Sequence, residues 1–374
     1  MKRNINVNSN TFYYFAIFLL TIKSWFFFSN LITIPNYINV GMGYFIILLF
    51  MIKILTSPIA KKNLLFSLMI FFIMMIIANV NDFINLFLSF LAVYCSKGTS
   101  LKKTIKIIFY TNFVILLIHL SYFTFKYFNS QSELQYLLYK NSQKRWNCFI
   151  RHPNYVAAIM FWTLSQYVYL YPKNNKLNII IAIFVTMLCY GLTKSRTTII
   201  SFLILILYLV FKNKINSNFL KKTFYIVLFG GLIVTLFMTY NFNTSSPFLS
   251  DIINNVDEVL SHRITYSAKA IELYPITFFG SKIDVETAWY GTRLMIDSFY
   301  ISCLVEYGIC LLFIVVLLSC KAVKKLEKEK LFFYIMIFIV ALTERYLFYI
   351  SLCFPFLFLE TLTKNNNKEG QEVI

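Results

Sequence analysis

Apolar runs long enough to cross a bilayer recur from one end of this chain to the other, and no other feature constrains its fold as much. A spanning helix needs ~20 consecutive apolar residues, because lipid offers no partner to an open backbone N–H or C=O. Such runs cover roughly residues 11–28, 38–56, 63–80, 82–96, 105–125, 154–171, 178–192, 198–211, 223–240, 298–319, 331–343 and 346–360. The expected fold is all-α: a polytopic membrane protein with about twelve transmembrane helices. The fourth, seventh, eighth, eleventh and twelfth runs are short, which makes them candidates for tilted, re-entrant or half-spans.

This reading divides the chain into residues 1–240 with nine spans, residues 241–296 as one large, partly helical extracytoplasmic loop, and residues 297–374 with three spans and a cytoplasmic tail. The first apolar run lacks a small-residue cleavage site and more spans follow it, so it is expected to stay as a signal anchor. Only 14% of residues are charged, against ~25% in soluble proteins.

The formal net charge of +19 acquires meaning only once the basic residues are placed relative to the membrane. With both termini cytoplasmic, the inner loops carry 22 of the 35 basic residues, all of them lysine except Arg3. The outer side carries Arg145, Arg151, Arg196, Arg263, Arg293 and Arg345. Lysine meets the positive-inside rule as a point charge, whereas arginine presents a planar fork that matches phosphate with two hydrogen bonds. The arginine set points to an outward-facing anion site, and no nucleic-acid partner is expected.

Acids are as unevenly placed. Only Asp82 and Glu133 precede residue 250, after which Asp251, Asp257, Glu258, Glu272, Asp284, Glu286 and Asp297 follow. A general base on the outer side must come mostly from the large loop that carries these later acids, or from His152 or His262. Asp284 and Glu286 have a D-x-E spacing that suits a divalent ion only weakly, so neither metal nor cofactor is expected. The seven cysteines lack any C-x-x-C spacing, and no disulfide framework follows from them.

In "LSDIINNVDEVLSHRITYSAKAIELY" the large loop reads as a helix capped by Ser250. Leu249, Ile252, Val256, Val259, Leu260, Ile264 and Ala268 fall on one face, and Arg263 interrupts it. A guanidinium there is costly unless an anion or a carboxylate meets it. His262 lies four residues after Glu258, whose carboxylate would orient the imidazole. Trp146 and Trp289 lie in the outer loops, where an indole packs well on sugar C–H groups.

Four segments together resemble the O-antigen ligase and polymerase superfamily, in particular Wzy-type polymerases of bacterial capsules and exopolysaccharides. "RHPNYVA" (Arg151 to Ala157) resembles the family's H-x-N segment opening a span. "GLTKSRTTII" (Gly191 to Ile200) resembles its S-R-[ST] junction. "SHRITYSAKAIELYPITFFG" (Ser261 to Gly280) is similar to its pattern of arginine, aromatic, apolar stretch and N-P-[LI]-x-G, with Tyr274-Pro275 in place of N-P. "IDSFYISCLVEYGI" (Ile296 to Ile309) is similar to its D/H-N-x-[YF]-x-x-x-L-x-x-x-G segment, with Ser298 where the family has Asn.

The resemblance implies transfer of a glycan from undecaprenyl diphosphate onto another lipid-linked repeat unit at the outer face of the bacterial cytoplasmic membrane. Its implied partners are that lipid-linked oligosaccharide, membrane lipids, and flippase and chain-length regulator proteins. Departure of diphosphate develops negative charge, which Arg151, Arg196 and Arg263 would stabilise, with Arg293 in reserve; losing one would cost on the order of 3 kcal/mol. His262, oriented by Glu258, is the first candidate base and Asp297 the second. Asn154, His152 and Tyr300 would position sugar or phosphate. The same residues leave open a ligase with another acceptor, or a lipid or polysaccharide transporter.

Overall fold

The computed structural model describes residues 9–56, 72, 75–76, 84–129, 134, 136–139, 143–283, 288–289, 292–293 and 296–362. Its helices in chain order are α1 (Ser9–Phe28), α2 (Asn36–Leu55), α3 (Ile84–Cys95), α4 (Leu101–Asn129), α5 (Pro153–Leu170), α6 (Asn175–Thr193), α7 (Arg196–Phe211) and α8 (Ser217–Tyr240). After these come α9 (Pro247–Val259), α10 (Arg263–Leu273), α11 (Phe299–Val305), α12 (Gly308–Val323) and α13 (Lys328–Val340). Two short hairpins, β1–β2 (Tyr136–Tyr139 with Gln143–Trp146) and β3–β4 (Ala288–Trp289 with Thr292–Arg293), are the strands among the described residues. Five helices (α1, α2, α4, α6 and α8) are long and apolar enough to cross a membrane. The chain is a helical membrane protein. The third expected span, 63–80, lies almost wholly outside the described residues.

Two helices form the centre. Helix α5 buries residues on every side, from Val156 through Gln166, and α13 buries Leu331 through Phe338 without a break. A helix apolar all round belongs in the interior. Lipid tails are as apolar as leucine, so cohesion must come from close packing and hydrogen bonds rather than from escape from water. With 41 phenylalanines against 10 glycines, this chain packs with rings: Tyr208 of α7 lies flat on Phe332 of α13, with centroids 3.6 Å apart. Outward faces carry Phe184, Met187, Ile233 and Phe237, all exposed, as a lipid-facing surface requires.

Three expectations need correction. The twelfth run is not an α-helix: Tyr346–Phe348 and Phe354–Leu362 are 3-10 turns joined by irregular chain, almost all of it buried. Non-helical backbone at such a depth survives only where protein groups satisfy it. Ser89 of α3 donates to the Phe348 carbonyl. Asn112 of α4 and Gln166 of α5 both donate to the Ser351 carbonyl, at 2.6 and 3.1 Å. Pro355 lacks an N–H and disfavours a continuous helix in the same place.

The tenth run is also broken, between α11 and α12. The turn Glu306–Gly308 meets the loop segment Thr277–Ser281 backbone to backbone, with Ser281 N on Val305 O at 2.9 Å, Ile309 N on Thr277 O at 3.1 Å and Cys310 N on Phe278 O at 3.1 Å. Gly280 and Gly308 sit at the contact with φ of +89° and +86°. A Cβ on Gly280 would lie 2.1 Å from the Glu306 carbonyl oxygen, and one on Gly308 would lie 2.4 Å from the Phe278 oxygen. Only glycine fits either position.

The third correction concerns the loop helix, which is two helices. Ser261 and His262 take φ of +60° and +64°, turning the chain between α9 and α10. The start is Pro247 after Ser246, so Ser250 is interior rather than a cap. The apolar face differs as well: Ile253 is buried, while Ile252 and Val259 are exposed. The reason is the side chain of Asp257, which accepts from Ile264 N at 2.7 Å and Thr265 N at 3.2 Å, and also takes the Thr265 hydroxyl. It supplies the capping that starts a new helix at Arg263.

Candidate functional site

Arg263, the first residue of α10, is buried, with 6% of its surface exposed. Its Nη2 donates to Glu344 Oε1 at 3.0 Å, and its Nε lies 3.4 Å from Asp297 Oδ2. The same Glu344 oxygen accepts from Thr197 Oγ1 of α7 at 3.4 Å. Among the described residues Nη1 has no acceptor, although it too is buried. The guanidinium therefore interrupts no apolar stripe; it is clamped between two carboxylates. Glu344 is fully enclosed, and burial, only partly opposed by Arg263, pushes its carboxyl up to about 7. Asp297 is open over 32% of its side chain and is the accessible acid of the three-residue group.

Next to this group lies the start of α5. The chain bends there because Pro153 takes the first helical position and His152 caps it, Nδ1 accepting from Asn154 N at 3.1 Å. Burial first, and then the Arg145 guanidinium, push the His152 imidazole down to about 4, against the opposing pull of Asp297. Arg145 itself reaches from the β1–β2 hairpin to Asn154 Oδ1 at 2.5 Å and to the Thr193 carbonyl, at the end of α6, at 2.7 Å. Asn154 thus holds an arginine, and His152 holds a helix.

The remaining expected residues separate. His262 is 61% exposed at the turn before α10 and faces Asp257 Oδ2 at 3.4 Å, so Asp257, not Glu258, is the carboxylate beside it. Arg151 is exposed, with its guanidinium 4.8 Å above the Phe27 ring. Arg196 is exposed at the first turn of α7. Tyr300 is fully buried, its hydroxyl aimed at the Val227 carbonyl (3.5 Å) where a π turn interrupts α8, so it braces the helix rather than facing a substrate. Trp146 packs against Phe123, Tyr127 and Tyr136 in an aromatic cluster at the end of α4. Trp289 and Arg293 belong to the β3–β4 hairpin, but their side chains lie outside the described residues, as do Asp284 and Glu286 entirely.

Sequence reasoning missed Glu344. Its signal was an acid followed by an arginine, between two apolar runs that are both short for a span. The neighbour pairs too: Arg345 Nη1 donates to Glu306 Oε1 at 3.2 Å, tying the cluster to the α11–α12 turn. At the opposite end of the same helices the contacts are made by lysines: Lys212 Nζ donates to Pro172 O at 3.2 Å, and Lys328 Nζ to Lys212 O. Arg145, Arg263 and Arg345 thus bond at one end of these helices, and Lys212 and Lys328 at the other.

No protein family, curated protein or solved structure matches this chain.

Proposed function

We propose that this chain is a multi-span, membrane-embedded glycosyltransferase, with both termini cytoplasmic, that polymerises a polysaccharide on the outer face of a bacterial cytoplasmic membrane. The donor is a glycan on undecaprenyl diphosphate and the acceptor a sugar hydroxyl of another lipid-linked unit. One observation carries the reading: three of the four segments, 191–200, 261–280 and 296–309, meet in one polar cluster, with the start of the fourth beside it. Thr197 and Arg263 both meet Glu344, Asp297 meets Arg263, and His152 lies in the field of Asp297 and Arg263. Segments chosen by chance similarity have no reason to meet.

The acceptor hydroxyl gives its proton to a carboxylate as its oxygen bonds to the anomeric carbon, and the bond from that carbon to the diphosphate breaks with its electron pair. Asp297 is the better-placed base, since it is open and held by Arg263, whereas His262 faces Asp257 at the corner between two helices. Fixed donors aimed at the departing charge lower the barrier without reorganising. Arg263 Nη1 suits that task, because a buried donor without an acceptor costs ~1–3 kcal/mol that a phosphoryl oxygen would relieve. Arg151 and Arg196 are exposed at the starts of α5 and α7 and remain candidates for binding the carrier phosphates.

The test is polymer length on a gel at matched membrane protein levels. Arg263→Lys keeps the charge but loses the fork, so it should accumulate single repeat units, with Arg3→Lys unaffected. Full-length polymer from Arg263→Lys and Arg263→Ala alike would refute the assignment.

A further inference from the structure

We infer that Glu344 is a positioning residue of this enzyme: by holding Arg263 Nη2 while Asp297 takes Nε, it fixes the fork so that Nη1 is the donor left for the diphosphate. The inference rests on the glycosyltransferase reading and adds a residue outside the four resembling segments. The guanidinium is a rigid planar fork on a flexible aliphatic stem, so an unheld fork would sample several orientations as the stem torsions change. Two carboxylates from different parts of the chain remove that freedom. One arrives just after α13, the other just before α11, and the arginine itself heads α10.

Glu344 is anchored in turn. Thr197 of α7 donates to the oxygen that meets Arg263. The groups facing its carboxylate are Arg263 and Asp297 as charges, Thr197 as a donor, and Tyr346 and Tyr155 as buried phenols. Glu344 Oε1 is taken up by Arg263 and Thr197, so its influence on a substrate passes through Arg263. Misplacing a reacting group by ~1 Å costs on the order of 10²-fold in rate. Loss of the anchor should therefore lower kcat while leaving KM nearly unchanged, because the remote parts of the lipid-linked substrate still bind.

The experiment uses the purified full chain in detergent with lipid-linked repeat units extracted from host cells that lack this gene. Wild type, Glu344→Gln, Glu344→Asp and Glu272→Gln are compared for initial rate across pH 5–9, normalised to folded protein by melting curve. Glu272 is an exposed partner of Lys269 away from the cluster and should behave as wild type. Glu344→Gln keeps the shape and one acceptor oxygen but loses the charge; kcat should fall about 10- to 100-fold. The wild-type rate should also fall as Glu344 takes up its proton near neutrality, and that inflection should vanish in Glu344→Gln. Glu344→Asp should recover part of the rate. Glu344→Gln matching wild type in kcat and pH profile, while wild type is active and Arg263→Ala is not, would overturn the role of Glu344 alone. No product from wild type would overturn the enzyme reading, and this inference with it.

Discussion

Gly308→Ala should be among the most damaging single-methyl changes available in this chain. The residue sits at φ of +86°, where an L side chain costs ~1–2 kcal/mol. The new Cβ would also stand 2.4 Å from both Gly280 N and Phe278 O. Neither atom belongs to a side chain that can swing aside, so the loop backbone must back away. Moving it breaks Ile309 N to Thr277 O and Cys310 N to Phe278 O, each worth about 1 kcal/mol. The sum is roughly 3–4 kcal/mol. Melting of the purified protein in detergent should then begin roughly 5 °C or more below wild type. Gly191→Ala provides the contrast, because that glycine has nothing within 4 Å and an ordinary helical φ; it should hold or gain up to ~1 kcal/mol. A Gly308→Ala protein that melts within about 1 °C of wild type would refute the backbone contact between loop and helix break.

Two other outcomes are expected. His152 is held near 4, below the ordinary histidine value of 6.5, so the folded state resists its protonation; the stabilisation is complete above about pH 6.5 and is lost as pH falls toward 4. His152→Asn keeps a capping acceptor for α5 and removes the titration, so its melting temperature should drop less than that of wild type over this window, and parallel curves would count against the buried neutral imidazole. For orientation, a cysteine introduced at Ser246 should react with an impermeant maleimide in intact cells and one at Lys325 should not; labelling at Lys325 would invert the topology and every site built on it.

Spans and breaks were unequally legible. The five long helices could be read from apolar length alone, since burial in lipid selects composition directly. The corner at Ser261–His262 could not, because its cause is one carboxylate, Asp257, reaching residues seven and eight positions ahead, and periodicity carries no such term. The run 346–360 has the composition of a span but not its structure; Pro355 was a visible objection, while the decisive partners Ser89, Asn112 and Gln166 lie far upstream. At the site, Arg263 was singled out because a charge in an apolar pattern demands a partner, and the alternative of a carboxylate partner is what the fold supplies. Glu344 stayed hidden because it is 81 residues from Arg263, a separation that no local pattern spans.

Ser89, Asn112 and Gln166 also set an order of events during synthesis. Each is made long before Phe348 and Ser351 leave the ribosome, so the polar clasps stand ready when the last apolar segment arrives. In its folded, non-helical conformation that segment cannot face lipid alone, since its open carbonyls would have no partner there. Without this segment, Ser89 Oγ, Asn112 Nδ2 and Gln166 Nε2 would lose the carbonyls to which they donate. The stretch that follows Glu344 is thus held in place by three earlier helices, and the contact of Glu344 with Arg263 depends on that seating.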